Sequence, residues 1–520
     1  MSVKRWISLT SAVALTAVTA ACSSTTKNTG SPSPSAGGAS ASASPTPQAP
    51  VKVNLMLDDS SQPVPTGNVM NDPTIKYLAQ QTNTDISIDF LPHEKYWDTM
   101  AMKLASGSEP DVIMGWSILP DLYTNKKLLP LNDLLDKYGP NLKKNIPQAA
   151  WDSMKIDGKI YGIPEAALGN SPSNRVIFVR KDWMDKVGIR DAPKTPDEFL
   201  DMLRAFRDKD PNGNGKKDEI PFSARENFSW AENIFSMFGV TFASNHLVNG
   251  EIIPGIIHPQ MKKALAFLHQ MYEEKLIDSE FLSNKRNVWE QKIQSDLVGS
   301  WNHAIDLAWD WQDRLNKSLP GKGANVIPIA TPVAPGVEHV GIEMNAYKKV
   351  FNVTTYSKHP EAIIKLFDWI ASQEGQEFVN FGVPGLTWTK EGGTYKYDKQ
   401  KDTDNKSVTW RSNTFNLIGY NKELLTFQLG KDAVDKLDAT YAIARKEGIP
   451  NPIDGIPALK SDTNPDLFRY GTMFMQTASR IVLGEKPVDY FDEFVKMWRA
   501  QGGNAVVKEM TDWYNANKKK

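Results

Sequence analysis

The chain has 520 residues, 40% hydrophobic and 23% charged, and its 60 basic and 61 acidic side chains leave a formal charge of −1. That length predicts more than one domain around a sizeable core, and the even charge balance excludes the electrostatic grip that nucleic acid requires. A single cysteine excludes internal disulfides and a cysteine-built zinc site.

At the N-terminus Lys4 and Arg5 precede the apolar run WISLTSAVALTAVTA, which is too short for a membrane span. The small residues that follow end at Cys22 and resemble a bacterial lipobox, although Thr19 stands where that motif prefers Leu. The resemblance implies a signal peptide over residues 1–22, with Cys22 lipidated as the mature N-terminus. The alternative is an ordinary signal peptide cut nearby. Residues 23–50, almost entirely Ser, Thr, Ala, Gly and Pro, lack the apolar content to fold and predict a disordered tether. No later segment is long and apolar enough to cross a membrane.

The body opens with VKVNLMLDD, an alternating strand signal ending in acids at 58 and 59. A helical stretch with Ile75 and Leu78 on one face leads to a second alternating strand, ISIDF. Then come a helix over KYWDTMAMKLA, a Gly-Ser-Pro turn and the short apolar strand DVIM. Strand, helix, strand, helix, strand predicts an open parallel α/β sheet. Ligands of such sheets bind beyond the carboxyl ends of the strands, which places Asp59 and Trp116 on the binding rim.

Six ordered phrases carry a more specific resemblance: ASGSEPDVIM, GKIYGIPEA, FVRKDWMDKVGI, PKTPDEFLDML, SKHPEAIIKLFDWIASQEG and IVLGEKPVDYFDEFVKMW. Together they resemble the extracellular solute-binding lipoproteins of carbohydrate ABC importers, over essentially all of residues 51–516. The resemblance implies an α/β fold of the two-lobe periplasmic-binding-protein type, with hinge crossovers and a cleft between the lobes. It assigns 51–168 and 336–385 to the N-terminal lobe, and 169–335 and 386–520 to the C-terminal lobe. It further implies an oligosaccharide ligand, an ABC permease as partner, attachment to the membrane through the lipid anchor alone, an extracellular location and a monomer.

The stretch DPNGNGKKDEIPF, residues 210–222, places oxygen-bearing side chains at Asp210, Asn212, Asn214, Asp218 and Glu219, and the Lys216 carbonyl can add another. Gly213 and Gly215 allow a tight winding, and calcium takes six to eight oxygens from such a loop. It departs from an EF-hand, because Pro221 occupies the twelfth position. A register from Asp208 would put Glu219 twelfth but Lys216 at a ligand position. The first register resembles the calcium loop of alginate-binding members of the family, which implies a structural Ca²⁺. The alternative is a solvated Asx-type turn.

Sugars present apolar C–H faces and a hydroxyl rim, so a site pairs flat aromatics with acid, amide and Arg partners. Trp301 after SDLVGS, Trp388 after GVPGLT, Trp410 beside Arg411, and Arg225, Asn227 and Trp230 in SARENFSW are the candidates. Trp183, Trp369 and Trp498 lie in amphipathic helical patterns and read as core. Arg225 and Arg411 would suit an acidic saccharide, or could pair with acids inside the protein. Two rival classes remain. A secreted glycoside hydrolase or lyase would need two positioned carboxylates, such as Asp58 and Asp59 or Asp306 and Asp310, and a peptide-binding lipoprotein would prefer peptides. The seven histidines show no ligand spacing, and nucleophile-elbow and P-loop motifs are missing from the sequence.

Overall fold

The computed structural model describes residues 49–167, 173–342, 346–404, 408–453, 456, 459, 461, 463–467 and 471–517. The expected signal peptide, Cys22 and the tether through residue 48 lie outside the described residues. Residues 49–520 form one unit, and within it the hydrophobic cores build on two sheets.

Strand β1 (Val51–Asp58) starts the first sheet. Helix α1 (Pro73–Thr82) begins at Asp72, whose carboxylate accepts from the Thr74 and Ile75 amides, with Pro73 opening the first turn. Asn83 stops it in the left-handed region (φ 51°). The chain then enters β2 (Thr84–Leu91), passes through α2 (Tyr96–Ala105) and reaches β3 (Val112–Gly115). Strand β4 (Ile163–Ala166) and the late strand Tyr347–Val353 complete the sheet. β1 pairs parallel to β2 and to β3, and the late strand is antiparallel to both of its neighbours. The expected parallel sheet is therefore mixed. The register sets Asp58 opposite Leu91, so the carboxyl ends of β1 and β2 finish at one edge, beside the end of β3.

The second sheet holds β5 (Arg175–Arg180), β6 (Ile220–Ser223), β7 (Val298–Ala304) and β8 (Val326–Ile329) in the order β8-β5-β7-β6. β7 is parallel to β6 and antiparallel to β5. The start of β5 and the ends of β6 and β7 therefore share an edge. One core covers Ile177, Trp183, Phe206, Leu265, Phe474 and Trp498, and another on the sheet's opposite face covers Phe178, Trp289, Trp301 and Trp311. Trp183 and Trp498 are core, as expected, and Trp369 packs partly buried against the first core, that of the first sheet, which covers Leu55, Ile75, Ile113, Phe351 and Phe367.

Two expectations need correction. The stretch HPEAIIKLFDWIASQEGQEFVNF forms two helices, Pro360–Ile370 and Gln373–Phe381, because the Ser372 hydroxyl caps the second by accepting from the Gly375 amide. The final crossover was expected at residue 385. Instead Trp410, Phe415 and Leu417 pack in the first core, and the Leu417 carbonyl accepts from the Ala166 amide (2.8 Å). The chain joins the second core only afterwards, where Tyr420 stacks edge-on with Tyr441. Gly419 makes that passage possible: at φ 82°, a Cβ would come within 3.1 Å of the Ala166 carbonyl.

Candidate functional site

Side chains beyond the ends of β1, β2 and β3 gather at the first sheet's edge. Asp58 is the last residue of β1, and its side chain is only 1% exposed. Its Oδ2 lies 2.9 Å from His93 Nδ1, and its Oδ1 has no hydrogen-bond partner. The hydrogen bond to Asp58 raises the His93 pKa. Asp59, the acid picked from sequence, is also on the rim, but its Oδ1 is occupied by the Ser61 and His93 amides. Trp116 follows β3 as expected and is half-buried. Tyr96, Trp97 and His93 surround it with ring centroids 5.4, 5.3 and 5.9 Å away. Trp97 is 47% exposed and presents the open face of this cluster. Sequence reasoning placed Trp97 in a helix and passed over it. Its signal was its place in the first turn after β2, at a strand's carboxyl end.

The second sheet contributes the loop after β6. Arg225 donates from Nη2 to Glu226 Oε1 (3.2 Å), and Asn227 is exposed. Asn227, Phe228 and Trp230 all have positive φ (57°, 55° and 64°). For a Phe and a Trp this conformation costs free energy, and such strain concentrates at functional sites. Trp230 is half-buried, with the Arg175 guanidinium 4.4 Å from its ring and the His303 ring 4.2 Å away. Arg175 begins β5 and pairs with Ala304 at the end of β7, which explains its arrival at this edge. His303 stays neutral, since burial and then the charge of Arg175 push its pKa well down.

The two edges come near each other, with an ion pair joining the late strand's start to the residues after β7. Arg286, at the start of the helix Arg286–Gln294 in the second half, lies near enough to His93 for its charge to oppose His93 protonation. Lys348 of the first sheet's late strand also reaches Asp306 beyond β7 (2.9 Å). Asp58, His93, Trp97 and Trp116 thus gather at the first sheet's edge, and Arg225, Trp230 and Arg286 belong to the second half.

The other candidates lie elsewhere. Trp301 was expected at a strand end, but β7 continues to Ala304, and Trp301 is fully buried against Phe178 and Trp311. Trp410 is buried against Phe90 and Phe415. Trp388 donates from Nε1 to the Gly382 carbonyl (2.9 Å) inside a small cluster with Phe381 and Tyr395. Arg411 is fully buried and grips Asp402 with two hydrogen bonds (2.8 and 2.7 Å). These four are packing residues in the structure. Asp310, imagined as a catalytic acid, is engaged by Arg314 (2.7 Å), and Asp306 by Lys348.

The loop over 210–219 joins the helix Pro196–Asp208 to β6. Asp210 bends into the left-handed region, and its carboxylate accepts from the Asn214 and Gly215 amides. Asn212 and Asn214 direct their amide groups to Asp218. Glu219 Oε1 is buried without a partner, and burial, then the charges of Asp210 and Asp218, raise the Glu219 pKa. Among the described residues no group of three or more His, Cys, Asp or Glu is disposed to hold a metal on its own. A cation here would therefore need the Asn212, Asn214 and Lys216 oxygens as well. The orphaned Glu219 oxygen and the hard oxygen donors fit calcium.

The chain belongs to the bacterial extracellular solute-binding protein family, whose model matches residues 66–377. This is a family of binding proteins, not of enzymes. Among its relatives, the fructooligosaccharide ABC transporter substrate-binding protein FusA of Streptococcus pneumoniae is 29% identical over 64% of this chain and 62% of its own length. The alignment therefore spans less than two thirds of that protein. Lipoprotein LipO of Bacillus subtilis is 24% identical over 86% of this chain and 89% of its own. The solved structure of an HMO-binding ABC-transporter-associated solute-binding protein from Bifidobacterium longum infantis covers 91% of this chain and 100% of its own, with TM-score 0.72 and 22% identity. That likeness carries the fold, a two-lobe α/β binding protein. Among the described residues no helix is long and apolar enough to cross a membrane.

Proposed function

We propose that this protein is the substrate-binding component of an ABC importer, which captures an oligosaccharide between its two lobes and delivers it to a membrane permease. The observation that carries this reading is the set of side chains at the two sheet edges. Exposed and half-buried Trp rings on both sheet edges are interleaved with unpartnered acid and guanidinium atoms, the complement of a pyranose's apolar faces and hydroxyl rim. Family membership and the sugar-binding names of the relatives support it. Closure about the segments that join the sheets would bring Trp97 and Trp116 toward Trp230 around the ligand. Calorimetric titration of the purified protein with an oligosaccharide library tests the reading. Saturable binding without new reducing ends is expected. Turnover would favour a carbohydrate-active enzyme, and binding of peptides alone a peptide carrier.

Two further parts belong to the proposal. Asp210, Asn212, Asn214, Lys216, Asp218 and Glu219 hold a structural Ca²⁺ that ties a helix end to β6; the orphaned Glu219 oxygen supports this. Cys22 carries a lipid that tethers a monomeric body to the outer face of the membrane, and the lipoprotein name of one relative supports it. Replacing Cys22 with Ser should release the protein into the medium. Retention on the membrane would refute the anchor.

A further inference from the structure

The charges lining the cleft indicate what kind of saccharide it takes. Of the arginines that could grip an acidic sugar, Arg225 is engaged by Glu226 (3.2 Å) and Arg286 by Glu290 (2.8 Å). Arg411 is consumed inside the first core by Asp402. Arg175 spends its guanidinium face on Trp230, and its charge acts on the buried Glu232. Arg225, Arg286 and Arg411 therefore each have a counter-charge within the protein.

Three carboxylate oxygens are among the buried atoms left over. Asp58 Oδ1, Glu226 Oε2 and Glu232 Oε2 are shielded from solvent and have no hydrogen-bond partner. The Asp58 side chain is 1% exposed and Glu232 is 9% exposed. A buried acceptor without a donor costs about 1–3 kcal/mol until a donor arrives. Sugar hydroxyls are donors of the right kind. A uronate or sulfate has no proton to give these oxygens and would place its own charge beside Asp58 and Glu226. The buried unpartnered donors, Arg175 Nε, Arg225 Nε and Trp230 Nε1, suit hydroxyl or ring oxygens.

We propose that the cleft selects a neutral oligosaccharide, whose hydroxyls donate to Asp58, Glu226 and Glu232, and that it rejects uronic and sulfated sugars. The proposal rests on the oligosaccharide-binding reading and assigns the chemical class within it. The test titrates the purified protein calorimetrically with neutral probes (maltotriose, xylotriose, cellotriose, kestose and lacto-N-tetraose) and with trigalacturonate and a sulfated trisaccharide. At least one neutral probe should bind, and the acidic probes should bind at least tenfold more weakly. Asp58→Asn should narrow that ratio about tenfold, because it removes the negative charge and keeps the side chain's shape. Equal or tighter binding of an acidic probe, or an unchanged ratio in Asp58→Asn, overturns the selection while leaving the carrier function standing. Failure of every probe to bind overturns the saccharide reading itself, and this inference with it.

Discussion

Replacing Arg411 with Leu separates the two roles this residue could have. The structure makes it a core element: Arg411 and Asp402 are both 0% exposed, joined by bonds of 2.8 and 2.7 Å, with Tyr397 also donating to Asp402 (2.8 Å). Leu fills part of the volume but removes the charge opposite a buried carboxylate. Breaking such a pair on one side costs about 3–5 kcal/mol, mostly the desolvation of the charge left behind. At about 2 °C per kcal/mol, the figure for a larger domain, the Tm should fall by about 6–10 °C. Removing both charges with Arg411→Leu and Asp402→Leu should recover much of the loss, since the buried charge goes too. Folded Arg411→Leu should bind its saccharide with parent affinity in a calorimetric titration at a temperature well below its melt. An unchanged Tm together with weakened binding would refute the reasoning and make Arg411 a ligand group.

Trp230→Ala should weaken saccharide binding by about 1–3 kcal/mol, tenfold or more. Trp301→Ala should instead cost about 3–5 kcal/mol of stability and leave affinity unchanged, and titration plus melting on both variants checks the contrast. Chelation should lower the Tm, because a cation bound only by the folded state stabilises it by mass action. Asp210→Ala with Asp218→Ala should abolish that sensitivity, and no response in the parent would leave the loop a turn. Burial, then the charge of His258, depresses the His246 pKa to about 4 in the folded protein. Between its unfolded value and that depressed one the unfolded chain holds more protons, so this contribution to stability is present above about pH 6.5 and is lost as the pH falls toward 4. Chemical denaturation across that window should show the loss, and His246→Gln should flatten it.

Period-two and helical alternation, read locally, located β1, β2, β3 and the helices between them, because each pattern depends only on which face of the element is buried. The apolar strand DVIM put Trp116 just past a strand end, where the structure has it, and the polar run SARENFSW drew attention to Trp230. The spacing of oxygens and glycines likewise marked out the loop at 210–219. Where a strand stops in the assembled sheet was not legible, because stopping is decided by the partner. β7 runs on through Trp301 because β5 offers partners from Val179 to Arg175 opposite it, and that turned an expected platform into core. Arg411 looked free beside Trp410 because its counter-charge, Asp402, comes to it only when both pack under the Gln373–Phe381 helix. Asp58 and Asp59 are adjacent acids that sequence treats alike. Only the tertiary structure occupies one with backbone amides and leaves an oxygen of the other buried without a partner. Local pattern thus determined the elements and where strands end. Which side chains remain unpaired at those ends was decided by how the elements pack, because packing brings partners within hydrogen-bond reach and removes them from water.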